Sequence, residues 1–556
     1  MKTRAYKLLK LWCDTLLEYK IESHDPEVDG AVFCPACHLA HGRIADLAFP
    51  LTLLYVRTGD KKYLEAADKF IDWSEHCLRF DDGSWRNDID NEWSAISAFS
   101  AISIGEAILH FGSVMDSEIK EKWMRIFIRL SDYINEEFIR TVDPVINYYA
   151  GAACEQALAY KLVGDEKYLA RAKERESICR TRFDKDGLFF GEMKPVLGIS
   201  ARGCRHIDMG YNLEESLPLL LRCSELLFPD DDFYKQRFLD HLEFLLPDGA
   251  IDDSFGIRHN KWTYWGSRTS DGVIEGLEAF IDEPVFCECA RRALNMYEKC
   301  TKNGLLSLPM AYEAGEPTCV HHTFCHAKAL AQLIVSDKEE AKETALIPCE
   351  ERSGIRLYQN GNLAVVNKNG WRATVSAIDL LYADGCENSG GTMTFLMKDG
   401  VPYIAATMHR YSSLEPRNMQ CLRKVRKTEC MSPRIVFSDG KDNIKDYQDT
   451  VIKDVTESDI LISGDRFSIR YSFGEELVIF IKAEAASAFY LPVIKHSEAD
   501  VLCSDTVRIG DLEIVSDDIK VDLVSKFNQV GGFIYSVLSI PVSEEEKRIV
   551  IRRAKC

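Results

Sequence analysis

The chain has 556 residues, 46% of them hydrophobic, which is enough to bury a large core in two or three domains. Its formal charge is −20, from 88 acidic and 68 basic residues. Because the basic residues are interspersed with acids, the composition argues against a nucleic-acid partner, and an anionic ligand would need a local group of cations.

The first twelve residues, Met-Lys-Thr-Arg-Ala-Tyr-Lys-Leu-Leu-Lys-Leu-Trp, have the pattern of an amphipathic helix. Charges interrupt the apolar core that a signal peptide requires, and no later run has the length of a membrane span. The 19 cysteines are scattered, and Cys154, Cys204 and Cys223 lie in apolar stretches. We therefore predict a cytoplasmic protein with free, buried thiols and no membrane partner.

A phrase that occurs twice predicts the architecture of the N-terminal part. Residues 54–67 and 159–172 each pass from an apolar helix through Gly-Asp into a helix with a Tyr-Leu-x-x-Ala face. One helical hairpin cannot bury its own apolar stripe, so a series of about twelve helices predicts an (α/α)6-type toroid over residues 1–335. Turns that gather on one face of this ring are expected at Asp82-Gly83, Asp186-Gly187, Asp248-Gly249 and Asn303-Gly304.

The apolar period changes from three or four to two at about residue 355. Segments such as 363–367, 371–376, 467–472 and 477–481 alternate or are rich in β-branched residues, with glycine turns between them. These patterns predict an antiparallel β-sandwich over residues 351–556. Residues 336–350 are expected to link the two domains, with a helix in the charged stretch 336–343.

Three short motifs carry a family resemblance. They are Cys34-Pro-Ala-Cys37 with His41-Gly-Arg43, the segment Trp-Gly-Ser-Arg-Thr-Ser-Asp-Gly at 265–272, and Val-His-His-Thr-Phe-Cys-His at 320–326. A toroid followed by a β-sandwich resembles the heparinase II/III type of carbohydrate-active enzyme, and the motifs resemble glycoside hydrolase family 154. The resemblance implies a gut-bacterial β-glucuronidase, but it does not supply the catalytic residues.

The segment 200–212 contains one set of candidate site residues. His206 and Tyr211 stand five residues apart at the start of a helix, where they suit an acid/base pair, and Arg202 can hold a carboxylate through two hydrogen bonds. The tyrosine resembles that of heparinase-type lyases. The Asn-His pair of those lyases is replaced here by Asn147-Tyr148, and an ordinary polar helix start is the structural alternative.

The segment 248–272 contains a second set. Hydrolysis of a glycosidic bond requires two carboxyl groups, and we predict Asp252 and Asp271 for these roles, with Asp253 as a near equivalent of Asp252. The structural alternative is that Asp252 and Asp271 cap helices. The residues expected to contact the sugar are Tyr264, Trp265, Arg258, Arg268, His321, His322, Asn147, Trp85, Asp88 and Arg43.

The spacing Cys34-x-x-Cys37-His38 also occurs at haem attachment sites, but covalent haem requires export. A zinc site from these residues and His41 is chemically allowed, although structural zinc sites usually use two such pairs. A redox pair lacks its usual βαβ context. We therefore predict no metal and no cofactor here, and interpret the thiols as shaping a loop beside the sugar site.

These observations predict a glycoside hydrolase that removes terminal β-linked glucuronic acid from a glycan or glucuronide. One rival is a uronate-specific lyase, in which Tyr211 or His206 removes the proton at C5. Another is a non-catalytic glycan-binding protein. By analogy with other rings of this size, a homo-oligomer is expected.

Overall fold

The computed structural model describes residues 1–136, 145–192, 198–229, 231–262, 264, 273–307, 317–358, 362–382, 385–387, 389–404, 408–410, 430–444, 449–495, 500–527 and 533–554. The α-helices are α1 Lys2–Glu18, α2 Ala48–Thr58, α3 Lys61–Cys77, α4 Ser97–Phe111, α5 Ser117–Glu136, α6 Ile146–Val163, α7 Glu166–Arg180, α8 Met209–Tyr211, α9 Leu217–Leu227, α10 Phe233–Leu242, α11 Pro284–Cys300, α12 Val320–Val335 and α13 Pro348–Glu351. In the described ranges, no helix combines the length and apolar character needed to cross a membrane.

The strands are β1 Thr301–Lys302, β2 Leu305–Leu306, β3 Gly354–Tyr358, β4 Leu363–Lys368, β5 Trp371–Ser376, β6 Thr392–Lys398, β7 Val401–Ile404, β8 Arg434–Val436, β9 Val451–Val455, β10 Asp459–Gly464, β11 Phe467–Phe473, β12 Leu477–Ala483, β13 Ser487–Lys495, β14 Asp500–Cys503, β15 Thr506–Ile509, β16 Leu512–Val515, β17 Lys520–Phe527, β18 Phe533–Val542 and β19 Lys547–Arg553. The predicted order, a helical toroid followed by an antiparallel β domain, is confirmed.

The two copies of the repeated phrase form matching hairpins, α2–α3 and α6–α7. Gly59 and Gly164 end the first helix of each pair in the left-handed conformation, with φ of 73° and 81°. Asp60 and Asp165 then cap the second helix, and each accepts a hydrogen bond from the backbone N–H two residues later. The shared Gly-Asp pair therefore stops one helix and starts the next.

The predicted glycine turns each close a small antiparallel pair. Isolated bridges join Arg79 to Trp85, Phe183 to Phe189 and Leu245 to Ile251, and β1 pairs with β2 around the fourth turn. In each case the chain leaves a helix, reverses direction at the glycine turn and continues into a polar segment. Three of the segments that follow contain Asp88, Glu192 and Asp252, which are all buried.

The ring closes where α1 packs on α12. The expected helix at 336–343 is wrong, since residues 336–347 contain no helix. The N-terminus of the chain ties this segment down instead: Lys2 Nζ donates to the carbonyl oxygens of Ser336 and Lys338, and the Glu340 carboxylate accepts from the amino group of Met1. The carbonyl oxygens of Ser336 and Lys338 thus accept from Lys2 rather than from the backbone N–H groups of a helix.

The β domain has two layers. The inner layer contains the sheet β3-β4-β5-β6-β7 and the sheet β17-β18-β13-β8, and the outer layer is the sheet β14-β15-β16-β19-β12-β11-β10-β9. Along β4, Leu363 and Val365 join the core shared with the helices, whereas Ala364 and Val366 join the core between the layers. This alternation follows from the two-residue period of a strand, and it makes the inner layer a wall against the toroid.

Candidate functional site

The site forms at the start of α9, where the helix is locally widened. Asp208 caps α8 by accepting the backbone N–H of Tyr211 at 2.9 Å, and a π-helical turn follows over Asn212–Ser216. Turns of this kind change which side chains face inward, and they are frequent at functional sites. Here the turn places Tyr211 and Glu215 on the inner side of the ring, both nearly buried.

Tyr211 lies between two cations. Lys261 Nζ donates to its hydroxyl oxygen at 2.9 Å, and the Arg258 guanidinium lies 4.3 Å from the ring centroid. The Cζ atom of Arg258 also lies 5.8 Å from the ring centroid of Tyr382, which comes from the β domain. Both domains therefore contribute to the surroundings of one tyrosine.

Asn147, at the start of α6, faces the same place. Its Nδ2 donates to Glu215 Oε2 at 2.8 Å, so the carboxylate fixes the plane of the amide and leaves a second N–H for a ligand. Burial raises the pKa of the neighbouring Tyr148, and the charges of Glu215 and Tyr211 raise it further. We call Asn147, Tyr148, Glu192, Tyr211, Glu215, Arg258 and Lys261 the Tyr211 cluster.

The protonation state of Glu192 decides whether the positive charge of Arg258 is neutralised or can act on a bound anion. Its Oε2 lies 3.7 Å from Arg258 Nη2, which also donates to the Glu192 carbonyl oxygen at 2.8 Å. Burial raises the pKa of Glu192 to about 8, although Arg258 opposes this shift. Glu192 is therefore mostly protonated at neutral pH, and Arg258 keeps a net positive charge for an anionic ligand.

His206 is also buried, and burial lowers its pKa, which favours the neutral imidazole. Its backbone carbonyl accepts the N–H of Gly191 at 2.8 Å, next to Glu192. A neutral imidazole can accept a proton, so a role for His206 as a base remains a prediction.

Two predicted site residues contact the β domain. Asp252 is fully buried: its Oδ2 accepts from Thr374 of the β domain at 2.5 Å, and its Oδ1 accepts the N–H of Ser254 at 3.1 Å. Arg202 faces Asp379 of the β domain, with 3.7 Å between Nε and Oδ2. Polar loop residues beside aromatics suit a domain interface as well as a sugar site, and the predicted contact of Arg202 with the uronate stays a prediction.

Asp253 holds the helix that contains Tyr211, because its Oδ1 accepts the backbone N–H of Met209, the first residue of that helix, at 2.8 Å. Tyr264 points into the core, where its hydroxyl donates to Asp248 and its ring lies 5.9 Å from Phe395. Trp85 is also in the core and donates from Nε1 to Glu75 at 2.7 Å. The predicted contacts of Tyr264 and Trp85 with the sugar stay predictions.

A second group of predicted residues lies at the 3-10 helix Gly42–Leu47. Arg43 donates twice to Asp46 Oδ2, at 3.0 and 2.7 Å, and its guanidinium lies 4.9 Å from the ring of Phe99. The Asp88 carboxylate faces His41, and the ring of His321 stacks on that of His41 at 5.2 Å.

The ring of His322 contacts that of His326, with 4.3 Å between centroids. Its predicted contact with substrate stays a prediction. Three other predicted residues, Trp265, Arg268 and Asp271, lie outside the described residues.

Sequence reasoning missed Lys261, Glu192, Glu215 and Tyr382. Lys261 lies within residues 248–272, where a cation among aromatic and polar residues is itself a signal of a site for an anionic ligand. Glu192 follows the Asp186-Gly187 turn at the same offset at which Asp88 follows the Asp82-Gly83 turn. Glu215 stands four residues after Tyr211 on the same helical segment, a spacing that places the two on one side of a helix, whereas Tyr382 reaches the cluster only through tertiary packing.

A cavity of about 400 Å³ lies along α9. Its lining does not include Asn147, Tyr211 or Arg258. Glutamate carboxyl groups and the cations Arg222, Lys328 and Lys338 line it. Burial raises the pKa of Glu275 and of Glu278 to about 8. The glutamates are Glu106, Glu214, Glu225, Glu275 and Glu278.

Comparison with known proteins gives consistent results along most of the chain. The model of the ulvan lyase N-terminal domain matches residues 9–351, and that of the ulvan lyase C-terminal domain matches residues 355–460. The broad-specificity ulvan lyase of Formosa agariphila is 33% identical over 542 residues, which cover 90% of this chain and 84% of that protein.

Solved structures share the fold. A heparinase III aligns with a TM-score of 0.55 and 12% identity, over 99% of this chain and 84% of its own. A Streptomyces coelicolor A3 chondroitin AC lyase, solved in complex with chondroitin sulphate, aligns with a TM-score of 0.53 and 12% identity, over 100% of this chain and 80% of its own. At this identity the likeness shows the architecture alone.

These matches correct the functional prediction. The heparinase-type architecture is confirmed, whereas membership of glycoside hydrolase family 154 is not supported. The predicted hydrolase activity, with its β-glucuronidase specificity, is wrong, because both domain matches and the F. agariphila relative are lyases. The roles of Asp252 and Asp271 as a catalytic carboxylate pair belonged to that hydrolase prediction and are not retained. Motifs of three to eight residues did not separate families that share a toroid.

Proposed function

Since the chain belongs to the ulvan lyase family, we propose that it cleaves ulvan, or a related polysaccharide containing uronic acid, by β-elimination at the Tyr211 cluster. The observation that carries this proposal is the contact of the Tyr211 hydroxyl with Lys261 at 2.9 Å, beside the Arg258 guanidinium. A protein of charge −20 needs local cations to hold a polyanion.

Elimination requires that the proton at C5 of the uronate be removed. The electrons of the C5–H bond form a C4–C5 double bond, the C4–O bond breaks, and the leaving oxygen takes up a proton. Negative charge develops on the sugar carboxylate as the proton leaves. The second N–H of the Asn147 amide and the charge of Arg258 stabilise it there.

Tyr211 is the residue that we assign to the proton transfers. Tyr211 acts as the base at C5 after its hydroxyl proton has passed to solvent, and Lys261 and Arg258 stabilise the negative charge on the phenolic oxygen. Its re-formed hydroxyl can then protonate the leaving oxygen at C4. This scheme requires no pair of carboxylates, in agreement with the placement of Asp252 in the domain interface.

The test is the initial rate of ultraviolet absorbance increase on ulvan, which reports the new double bond. Tyr211→Phe removes only the hydroxyl, and we expect kcat to fall by about 10²-fold to 10⁴-fold, the usual contribution of a general acid or base. Binding of the polysaccharide should change little, because the ring and both cations remain.

Tyr264→Phe is the matched control. It removes a hydroxyl that is also bound to a charged partner, Asp248, but lies outside the cluster. Turnover by this variant should stay within about threefold of wild type. Equal losses in the two variants, or full turnover by Tyr211→Phe, would refute the assignment.

A further inference from the structure

Three cysteine sulfurs and one imidazole lie together beside the 3-10 helix Gly42–Leu47. Cys34, Cys37 and His41 come from the segment before this helix, and Cys319 is the residue before α12. Cys319 Sγ lies 3.7 Å from Cys34 Sγ, 3.5 Å from Cys37 Sγ and 3.6 Å from His41 Nε2. The four atoms all lie within 4.8 Å of one another. Cys319 is 285 residues from Cys34 along the chain, so this group exists only in the folded protein.

These separations match the edges of a tetrahedral zinc site. Zinc–sulfur bonds of about 2.3 Å and zinc–nitrogen bonds of about 2.0 Å give edges of about 3.8 Å between sulfurs and about 3.5 Å between sulfur and nitrogen. A disulfide would need its sulfurs about 2.05 Å apart. The observed spacing thus leaves room for an ion among the four ligand atoms.

The surroundings hold each ligand as a zinc site requires. His41 directs Nε2 to the sulfurs, while its Nδ1 faces Asp88 Oδ1 at 3.4 Å, an arrangement that fixes the ring and its tautomer. Asp88 is itself held by the backbone N–H of Gly42 at 2.8 Å. The N–H of Cys37 donates to Cys34 Sγ at 3.3 Å, which stabilises a thiolate.

We propose that Cys34, Cys37, His41 and Cys319 bind one structural zinc ion. Four protein ligands complete the tetrahedron and leave no open position for water, as in structural rather than catalytic sites. Each cysteine gives up its proton to solvent as the ion binds. The prediction of no metal rested on Cys34, Cys37, His38 and His41, and Cys319 is 285 residues from Cys34 along the chain.

The position of the site gives the ion a mechanical role. Cys34 and Cys37 lie between α1 and α2, whereas Cys319 is the residue that precedes α12. The ion would therefore join the first and last parts of the toroid. It would also hold the chain two residues before Arg43, whose guanidinium packs on Phe99 and through it on Tyr148, with 5.9 Å between the two rings.

Zinc content is the first test. Reduced protein is incubated with zinc, dialysed and analysed for metal, and about one ion per chain is expected. Cys37→Ser and Cys319→Ser should lose most of it. Cys37 is half-buried, so its replacement by serine should leave the fold intact, which circular dichroism would check.

Cys179→Ser is the matched control, since it replaces a buried thiol on α7 that is not among the four clustered ligand atoms. It should keep its zinc. Cobalt provides a second readout, because a site with three thiolates gives an intense sulfur-to-metal charge-transfer band in wild type and in the control. Neither test depends on catalytic activity.

A chelator should lower the Tm of wild type and leave that of Cys319→Ser unchanged. Three outcomes would overturn the proposal: reduced wild type that takes up neither zinc nor cobalt, equal zinc content in Cys37→Ser and wild type, or a Cys34–Cys37 disulfide in place of the metal.

Discussion

Replacing Glu192 by glutamine tests the electrostatics of the Tyr211 cluster. The change keeps the shape of a fully buried side chain and removes its ability to ionise. Burial raises the pKa of Glu192 to about 8, against an ordinary value of about 4.3 in the unfolded chain. Between these values the folded protein holds a proton that the unfolded chain has lost, so stability falls as pH rises through this window.

The magnitude follows from the width of that window. Within this pH range, where Glu192 is protonated only in the folded state, the free energy of unfolding falls by about 1.4 kcal/mol per pH unit. The range is about 3.5 pH units wide, so the total loss has an upper limit of about 5 kcal/mol. Glu192→Gln should therefore gain stability relative to wild type steadily from about pH 5 to about pH 8. Denaturant unfolding of both proteins across this range measures the gain.

Catalysis should respond to the same ionisation at higher pH. When Glu192 loses its proton, its carboxylate neutralises Arg258, and the uronate loses a cation. If only the protonated form binds substrate well, KM on ulvan rises about tenfold by about pH 9 in wild type and stays flat in Glu192→Gln.

Glu155→Gln separates the two effects. Burial raises the pKa of Glu155 to about 7, but its carboxylate accepts from Ser131 on α5 and from Gln156 on α6, neither of which belongs to the Tyr211 cluster. This control should change the pH dependence of stability and leave that of KM unaltered. Parallel stability curves for wild type and Glu192→Gln, or a KM of wild type that does not change with pH, would refute the reasoning.

Two further substitutions test the assignment of roles. Lys261→Met removes the ammonium group from the Tyr211 hydroxyl, and kcat on ulvan should fall by about tenfold or more; an unchanged kcat would show that this contact does not assist proton transfer. Asp252→Ala leaves Thr374 and the N–H of Ser254 without their acceptor, so the free energy of unfolding should fall by about 1–3 kcal/mol while kcat stays near wild type. A stable Asp252→Ala protein without turnover would return Asp252 to the catalytic machinery.

The fold was predictable where local chemistry decides it. Gly59 and Asp60 encode a hairpin within two residues, and the change to a two-residue period marks the β domain. The helix expected at 336–343 failed because a long-range partner intervened: Glu340 binds the amino group at the start of the chain. Composition within a short window does not contain such a contact.

The site was predictable only in part, for the same reason. Tyr211, Arg258 and Asn147 were predicted from their types and positions; the structure places Arg258 against the Tyr211 ring and Asn147 against Glu215, and their roles stay predictions. Asp252 resembled a catalytic acid, but its partner Thr374 lies 122 residues away. The cytoplasmic location, the homo-oligomer and the role of His206 stay predictions.

The central claim is that this chain breaks a glycosidic bond without adding water. Digestion of ulvan in water enriched in heavy oxygen, followed by mass spectrometry of the new chain ends, tests it most directly. We predict products that carry the C4–C5 double bond and no heavy oxygen from solvent. Saturated products with one solvent oxygen at each cleaved bond would show hydrolysis and contradict the account.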